Sequence, residues 1–145
     1  ANTDESAPLS INGGWTWGGF FNGTQFSPSG TVTYRYQDLF TAAVRFNYFD
    51  VRLDQGDFTT SVVAFTGSYS FTPRLFLQAN VQYNDDTRDV ATNLRLGWLD
   101  TAGTGLFIVY NDAYHRGPFD RTGIPAGPRS RQLIIKYTKL FDFTR

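Results

Sequence analysis

The chain has 145 residues with 13 basic and 13 acidic side chains, so it fits one domain with no net charge. Neutrality argues against a nucleic-acid binder, which carries a basic excess. The lack of cysteine excludes a disulfide scaffold, a thiolate zinc site and a cysteine nucleophile, and a single histidine, His115, excludes a multi-histidine metal site. Aromatic residues nonetheless make up 17% of the chain, as 3 Trp, 8 Tyr and 14 Phe, although its mean hydropathy is below zero. No methionine occurs, even at position 1, which points to a processed chain or a fragment.

No segment reaches the roughly 18 apolar residues of a transmembrane helix. That leaves membrane β-barrels open, because their strands need only about 10 alternating residues each. Period-2 alternation runs through the whole chain and predicts eight strands. Residues 1–8 read as a periplasmic N-terminal tail and 9–143 as a single barrel domain.

Strand one, about 9–21, sets Leu9, Ile11, Trp15, Trp17 and Phe21 against Ser10, Asn12 and Thr16. Strand two, about 24–36, sets Phe26, Val32, Tyr34 and Tyr36 against Gln25, Thr31, Thr33 and Arg35. In strand three, about 39–51, Phe40, Ala42, Val44, Phe46 and Tyr48 oppose Thr41, Arg45 and Asn47. Strand four, about 58–71, places Val63, Phe65, Tyr69 and Phe71 opposite Thr60, Thr66, Ser68 and Ser70. Strand five, 75–84, alternates without a break, with Leu75, Leu77, Ala79, Val81 and Tyr83 opposite Phe76, Gln78, Asn80, Gln82 and Asn84. Strand six, about 90–99, has Val90, Leu94, Leu96 and Trp98 against Asn93 and Arg95. Strand seven, about 105–112, is the least regular, with Leu106, Ile108 and Tyr110 against Phe107, Val109 and Asn111. Strand eight, about 131–143, has Leu133, Ile135, Tyr137, Phe141 and Phe143 against Gln132, Lys136 and Thr138.

Asn22-Gly23 is a hairpin signal of the primed-turn kind. Short turns at 36–39, 72–74 and 100–104 are expected at one end of the strands. Larger polar tips at 54–57 and 85–89, and a long loop at 113–130 with Pro118, Pro125 and Pro128, are expected at the other. Short periplasmic turns and longer external loops are the pattern of outer-membrane barrels. An even strand count then puts both termini on the periplasmic side.

The aromatic positions give the alternation a direction. A soluble barrel buries its apolar face, whereas a membrane barrel turns that face outward. Trp15, Trp17, Tyr48, Tyr83 and Tyr110 fall toward the loop end of the apolar face. Tyr34, Tyr69, Trp98, Phe141 and Phe143 fall toward the turn end, with mostly aliphatic residues between. Two such belts are the girdles expected at the two lipid–water interfaces. The charges well inside strands, Arg45, Arg95 and Lys136, lie on the polar face. They are predicted to project into the lumen with Asn47, Gln78, Asn80, Gln82 and Asn93. The alternating Tyr137, Phe141 and Phe143 resemble the last-strand signal read by the outer-membrane barrel-assembly machinery, with Thr138 where that pattern often has glycine.

The second half of the chain carries several strings in a characteristic order and spacing. They are Gly56-Asp57-Phe58-Thr59-Thr60, Phe71-Thr72-Pro73-Arg74-Leu75, Val81-Gln82-Tyr83-Asn84, Asn93-Leu94-Arg95-Leu96, Leu106-Phe107-Ile108-Val109-Tyr110-Asn111 and Ile135-Lys136-Tyr137-Thr138-Lys139-Leu140. In these strings residues 13–143 resemble the C-terminal part of the DUF5916 proteins, in which a carbohydrate-binding family 9-like domain precedes a large outer-membrane β-barrel region. The resemblance implies an outer-membrane location and supplies no catalytic residues. The carbohydrate-binding domain and the earlier strands are absent from this sequence. The chain is therefore either a stand-alone eight-stranded relative or the last eight strands of a wider barrel.

The expected architecture is an all-β, eight-stranded antiparallel up-and-down transmembrane β-barrel in a bacterial outer membrane. Its expected role is non-enzymatic: a scaffold, an anchor or a surface-interaction protein surrounded by outer-membrane lipids. The rivals are a pore or part of a larger barrel, a soluble ligand-binding barrel, and, least supported, an outer-membrane enzyme. Basic side chains in the lumen suggest an anion-attracting interior, against the plainer expectation that they hydrogen-bond to their amide neighbours and plug it. Asp54, Asp57, Asp85, Asp86 and Asp89 could attract calcium, but an acidic turn is the commoner use of such residues. No metal or cofactor is expected. His115, beside Arg116, Asp120 and Arg121, is expected to be a solvated loop histidine rather than a catalytic base. Loop 113–130, with Tyr114, Phe119 and Ile124, is the candidate contact for a protein or glycan partner.

Overall fold

The computed structural model describes residues 7–100, 104–119, 123 and 125–139. Eight strands follow one another: β1 (Leu9–Phe20), β2 (Gly23–Tyr36), β3 (Phe40–Leu53), β4 (Gly56–Thr72), β5 (Leu75–Asn84), β6 (Asp89–Leu99), β7 (Gly105–Phe119) and β8 (Pro125–Thr138). Each pairs antiparallel with the next, in the order β1-β2-β3-β4-β5-β6-β7-β8. The period-2 pattern and the eight-stranded meander expected from the sequence are both present.

Turn chemistry sets the registers. The first hairpin closes on Phe20 opposite Gly23, so its loop is Phe21-Asn22, one residue earlier than the Asn22-Gly23 signal suggests. Phe21 takes a φ of 51° there and stands 91% exposed, an uncommon backbone region for a bulky residue. Gly23 is needed for a different reason: a Cβ at that position would overlap the Arg52 carbonyl of β3. At 72–75 the Thr72 hydroxyl accepts from the backbone N–H groups of Arg74 (3.2 Å) and Leu75 (3.0 Å). At 84–89 the Asn84 carboxamide oxygen accepts from the N–H of Asp86 at 3.0 Å. Both are local side-chain-to-backbone bonds that hold a turn in place of a strand ladder.

Three expectations need correction. First, β1 and β8 do not pair, so the sheet is open and these eight strands do not close a barrel by themselves. Second, residues 113–119 and 125–130 are not a long loop but the paired ends of β7 and β8, with register shifts after Ala113 and His115. These irregularities absorb Gly117, Gly127 and the prolines, which read as loop punctuation in the sequence. Third, the expected contrast in loop length is much reduced. Phe21-Asn22 and Asp54-Gln55 at one end are as short as Pro73-Arg74 at the other, because polar residues at the tips continue the ladder, and the connection at 85–88 is the longer exception. Phe141, Phe143 and the rest of the predicted strand eight beyond Lys139 lie outside the described residues, as do residues 1–6 of the predicted tail.

The sheet has almost no side-chain core. Among the described residues Val51, at 2% exposure, is the one buried hydrophobic, and Ser10 and His115 are the buried polar side chains. In β2 the apolar Phe26, Val32, Tyr34 and Tyr36 are exposed while Gln25, Ser27, Thr31 and Thr33 are half-buried. β4 repeats the inversion, with Val63, Phe65, Tyr69 and Phe71 exposed beside half-buried Ser68 and Ser70.

Gly23→Ala should lower stability by about 1–3 kcal/mol through its backbone clash, whereas Gly14→Ala, with nothing within 4 Å of the added Cβ, should not. Urea unfolding of the two variants refolded in detergent checks this contrast.

Candidate functional site

The hydrogen-bonded rungs decide which side chains share a face. Asn12, Thr31, Arg45, Ala64, Gln82, Ala91, Ala113 and Ser130 lie on one rung. Arg35, Thr41, Ser68, Gln78, Arg95, Val109 and Ile134 lie on another of the same parity. Since side chains alternate along a strand, Arg45, Asn47, Gln78, Asn80, Gln82, Asn93, Arg95 and Lys136 all stand on one face. The polar set proposed from sequence is therefore brought together as a surface.

Parts of that surface are knitted. Asn93 donates to Asn111, and Asn111 donates to Gln132 at 3.5 Å, so an amide ladder crosses β6, β7 and β8 along one rung. The Arg95 guanidinium lies 4.9 Å from the centre of the Phe107 ring, a cation–π distance. Phe76 packs at 6.5 Å from Phe107 and covers Gly97. This aromatic patch lies on the polar face, where alternation already places Phe76 and Phe107. Three depressions mark the same face. The largest, about 420 Å³, is lined by Asn12, Ser29, Thr31, Arg45 and Asn47 over a floor of glycine. The buried Oδ1 of Asn12 beside it has no hydrogen-bond partner.

The opposite face holds the predicted aromatics. Trp15, Trp17, Tyr34, Tyr48, Tyr69, Tyr83, Trp98 and Tyr110 all share its parity. Trp15 and Trp17 are 76% and 77% exposed. At the turn end Tyr34, Phe40, Tyr69 and Phe71 form a run of neighbouring rings, with centroids 6.3, 6.3 and 4.7 Å apart. The band between the belts is not purely aliphatic, because Phe46 and Phe65 stand in it beside Val63 and Val44. Ion pairs also lie on this face, among them Arg131 Nε to Asp112 Oδ1 at 2.7 Å. That pair sits between Tyr110 and Tyr114, a position that became part of a strand only when β7 proved longer than expected.

His115 is not a solvated loop residue. It is 2% exposed, opposite Asp89 in the β6–β7 ladder, with Nδ1 2.7 Å from Asp89 Oδ1. The Asp89 carboxylate is placed to accept from Nδ1. Nε2 is buried without a hydrogen-bond partner, packed against Gly117, which also meets the Arg88 side chain. The Arg116 N–H donates to the Arg88 carbonyl at 2.8 Å. The group joins the tips of two hairpins and encloses the nitrogen that a general base would present to a substrate. The alternation of Leu106, Ile108, Tyr110, Asp112 and Tyr114, read past residue 112, was the signal that could have placed His115 in a strand.

No group of three or more metal-ligating side chains occurs among the described residues, and the aspartates of 54–57 and 85–89 do not form one. Searches of family models, curated proteins and solved structures find no match to the chain.

His115→Ala should remove the buried contact between the hairpin tips, lower stability by about 1–3 kcal/mol and speed amide exchange at 113–119 and 125–130. A solvated histidine would leave exchange there unchanged.

Proposed function

We propose that the chain forms part of the wall of a transmembrane β-barrel in a bacterial outer membrane. Its apolar face would meet lipid and its polar face a lumen, and its role would be non-enzymatic. The observation that carries this reading is the apolar face: it runs across all eight strands and stands open, while almost nothing is buried within the sheet. Exposed apolar surface on this scale needs a partner. Lipid suits it, because the rings cluster near both ends of the strands. A soluble ligand-binding barrel would need this face turned inward and covered, the reverse of the arrangement in β2 and β4.

The register supports the same reading. The rung that starts at Tyr34 in the turn-end belt passes Ala42, Gly67, Ala79 and Leu94 to reach Tyr110 in the loop-end belt of β7. Five strand spacings of about 4.8 Å therefore climb as far as Tyr34 to Phe26 does along β2, about 27 Å. That ratio corresponds to strands tilted by roughly 45–50°, close to the tilt of about 45° in membrane barrels.

The open edges favour a pore over a scaffold. An unpaired backbone group in hydrocarbon costs several kcal/mol, so in a membrane β1 and β8 would each pair with a further strand. A barrel wider than eight strands leaves room for an aqueous channel, whereas eight strands leave an interior that side chains fill. The reading favoured is thus a section of a larger, pore-forming barrel, with the DUF5916 resemblance pointing the same way. The barrel-assembly machinery would recognise the C-terminal strand, and the β7–β8 hairpin would be the contact for a protein or glycan.

Fluorescence quenching by brominated phospholipids tests this. Trp15 and Trp17 lie in one belt and Trp98 in the other, so shallow bromines should quench strongly and bromines near the bilayer centre weakly. Aqueous iodide quenching of the same tryptophans, with no effect of bromolipid, would contradict the membrane reading.

A further inference from the structure

The charges are sorted between the two faces. On the polar face, between its rims, the described strands carry Arg45, Arg95 and Lys136 and no carboxylate; Asp89 stands at the rim and is engaged by His115. Two carboxylates within strands on the apolar side pair with arginine, Asp112 with Arg131 at 2.7 Å and Asp50 with Arg52 at 3.4 Å. Arg45, Arg95 and Lys136 have no carboxylate partner among the described residues. Their neighbours are groups that donate hydrogen bonds to anions. Arg45 shares its depression with Asn12, Ser29, Thr31 and Asn47, and Arg95 shares a rung with Gln78, Ser68 and Thr41. The Phe107 ring beneath Arg95 holds that guanidinium without neutralising it.

From this sorting we infer that the polar face is an anion path: it admits small oxyanions and carboxylates past Arg45, Arg95 and Lys136 and disfavours cations. The inference rests on the barrel reading and names the class of solute for the same lumen. Like-signed charge on a walled polar surface raises the local counter-ion concentration by tenfold or more, and rings of Arg and Lys are how anion pores select. The neighbouring hydroxyl and amide groups replace part of the hydration shell of an oxyanion as it passes.

The test is the reversal potential of the full-length protein in planar bilayers under a potassium chloride gradient, repeated with potassium acetate. The wild type should favour the anion. Each of Arg45→Glu, Arg95→Glu and Lys136→Glu should lower the anion-to-cation permeability ratio by about threefold or more, and the triple variant should reverse it. Arg74→Gln, in a turn outside the polar face, should leave the ratio unchanged. Milder Arg45→Gln and Arg95→Gln variants cover the case in which charge reversal prevents folding, and should lower the ratio less. Cation preference in the wild type, or a ratio indifferent to these residues, overturns the inference. So does the absence of conductance in protein whose tryptophans are quenched by bromolipid, a result that leaves the membrane reading standing.

Discussion

Backbone pairing is the one interaction that everything else in this molecule depends on. Eight strands are held edge to edge by their ladders, and behind those ladders there is almost no packed interior. Water-soluble sheets gain their stability by burying one face against another layer. Here Val51 is the sole buried hydrophobic side chain among the described residues, while Trp15, Trp17, Leu133 and Ile135 are more than half exposed. Each large apolar side chain left in water forgoes roughly 1.5–3 kcal/mol, so an account of stability must supply an apolar solvent for one face and strands for both edges. The proposed membrane setting supplies both at once. In that setting lipid would cover the apolar face, and closure of a wider barrel would satisfy β1 and β8.

The same constraint explains where polarity is spent. On the polar face, amides are joined in a rung from Asn93 through Asn111 to Gln132, and Arg95 rests on an aromatic ring rather than on a carboxylate. At the hairpin tips, where no lipid would reach, ordinary protein packing returns: His115 is enclosed between Asp89, Gly117 and Arg88. The molecule thus divides into a paired wall with two open faces and a small packed region at one end. The wall accounts for the proposed pore, and the packed region ties the tip of the β5–β6 hairpin to the end of β7.

Much of this was legible in the residues because side-chain parity is a local property. Strand five could be read from 75 to 84 without error, and the residues predicted for a lumen share one face of the sheet while the described aromatics of the predicted belts share the other. What failed was nonlocal or depended on turn detail. Closure depends on how the first and last strands meet, which alternation within a strand does not encode. The hairpin at 20–23 moved by one residue because the close approach of Arg52 demands glycine at a strand position rather than in the loop. The stretch 113–130 looked like a loop because glycine and proline punctuate it, but bulges let an antiparallel pair tolerate such residues near its end. That misreading also hid the burial of His115 and the Asp112–Arg131 pair.

The central claim is that the apolar face of this sheet meets lipid while the polar face meets water. The absence of cysteine makes single-cysteine spin labelling straightforward, and positions 75–84 in β5 offer an uninterrupted strand. In phospholipid vesicles, accessibility to oxygen should alternate with a period of two and peak at 75, 77, 79, 81 and 83, with accessibility to a water-soluble nickel complex peaking at the positions between. The opposite phase, or uniform access to the nickel complex at every position, would contradict the account.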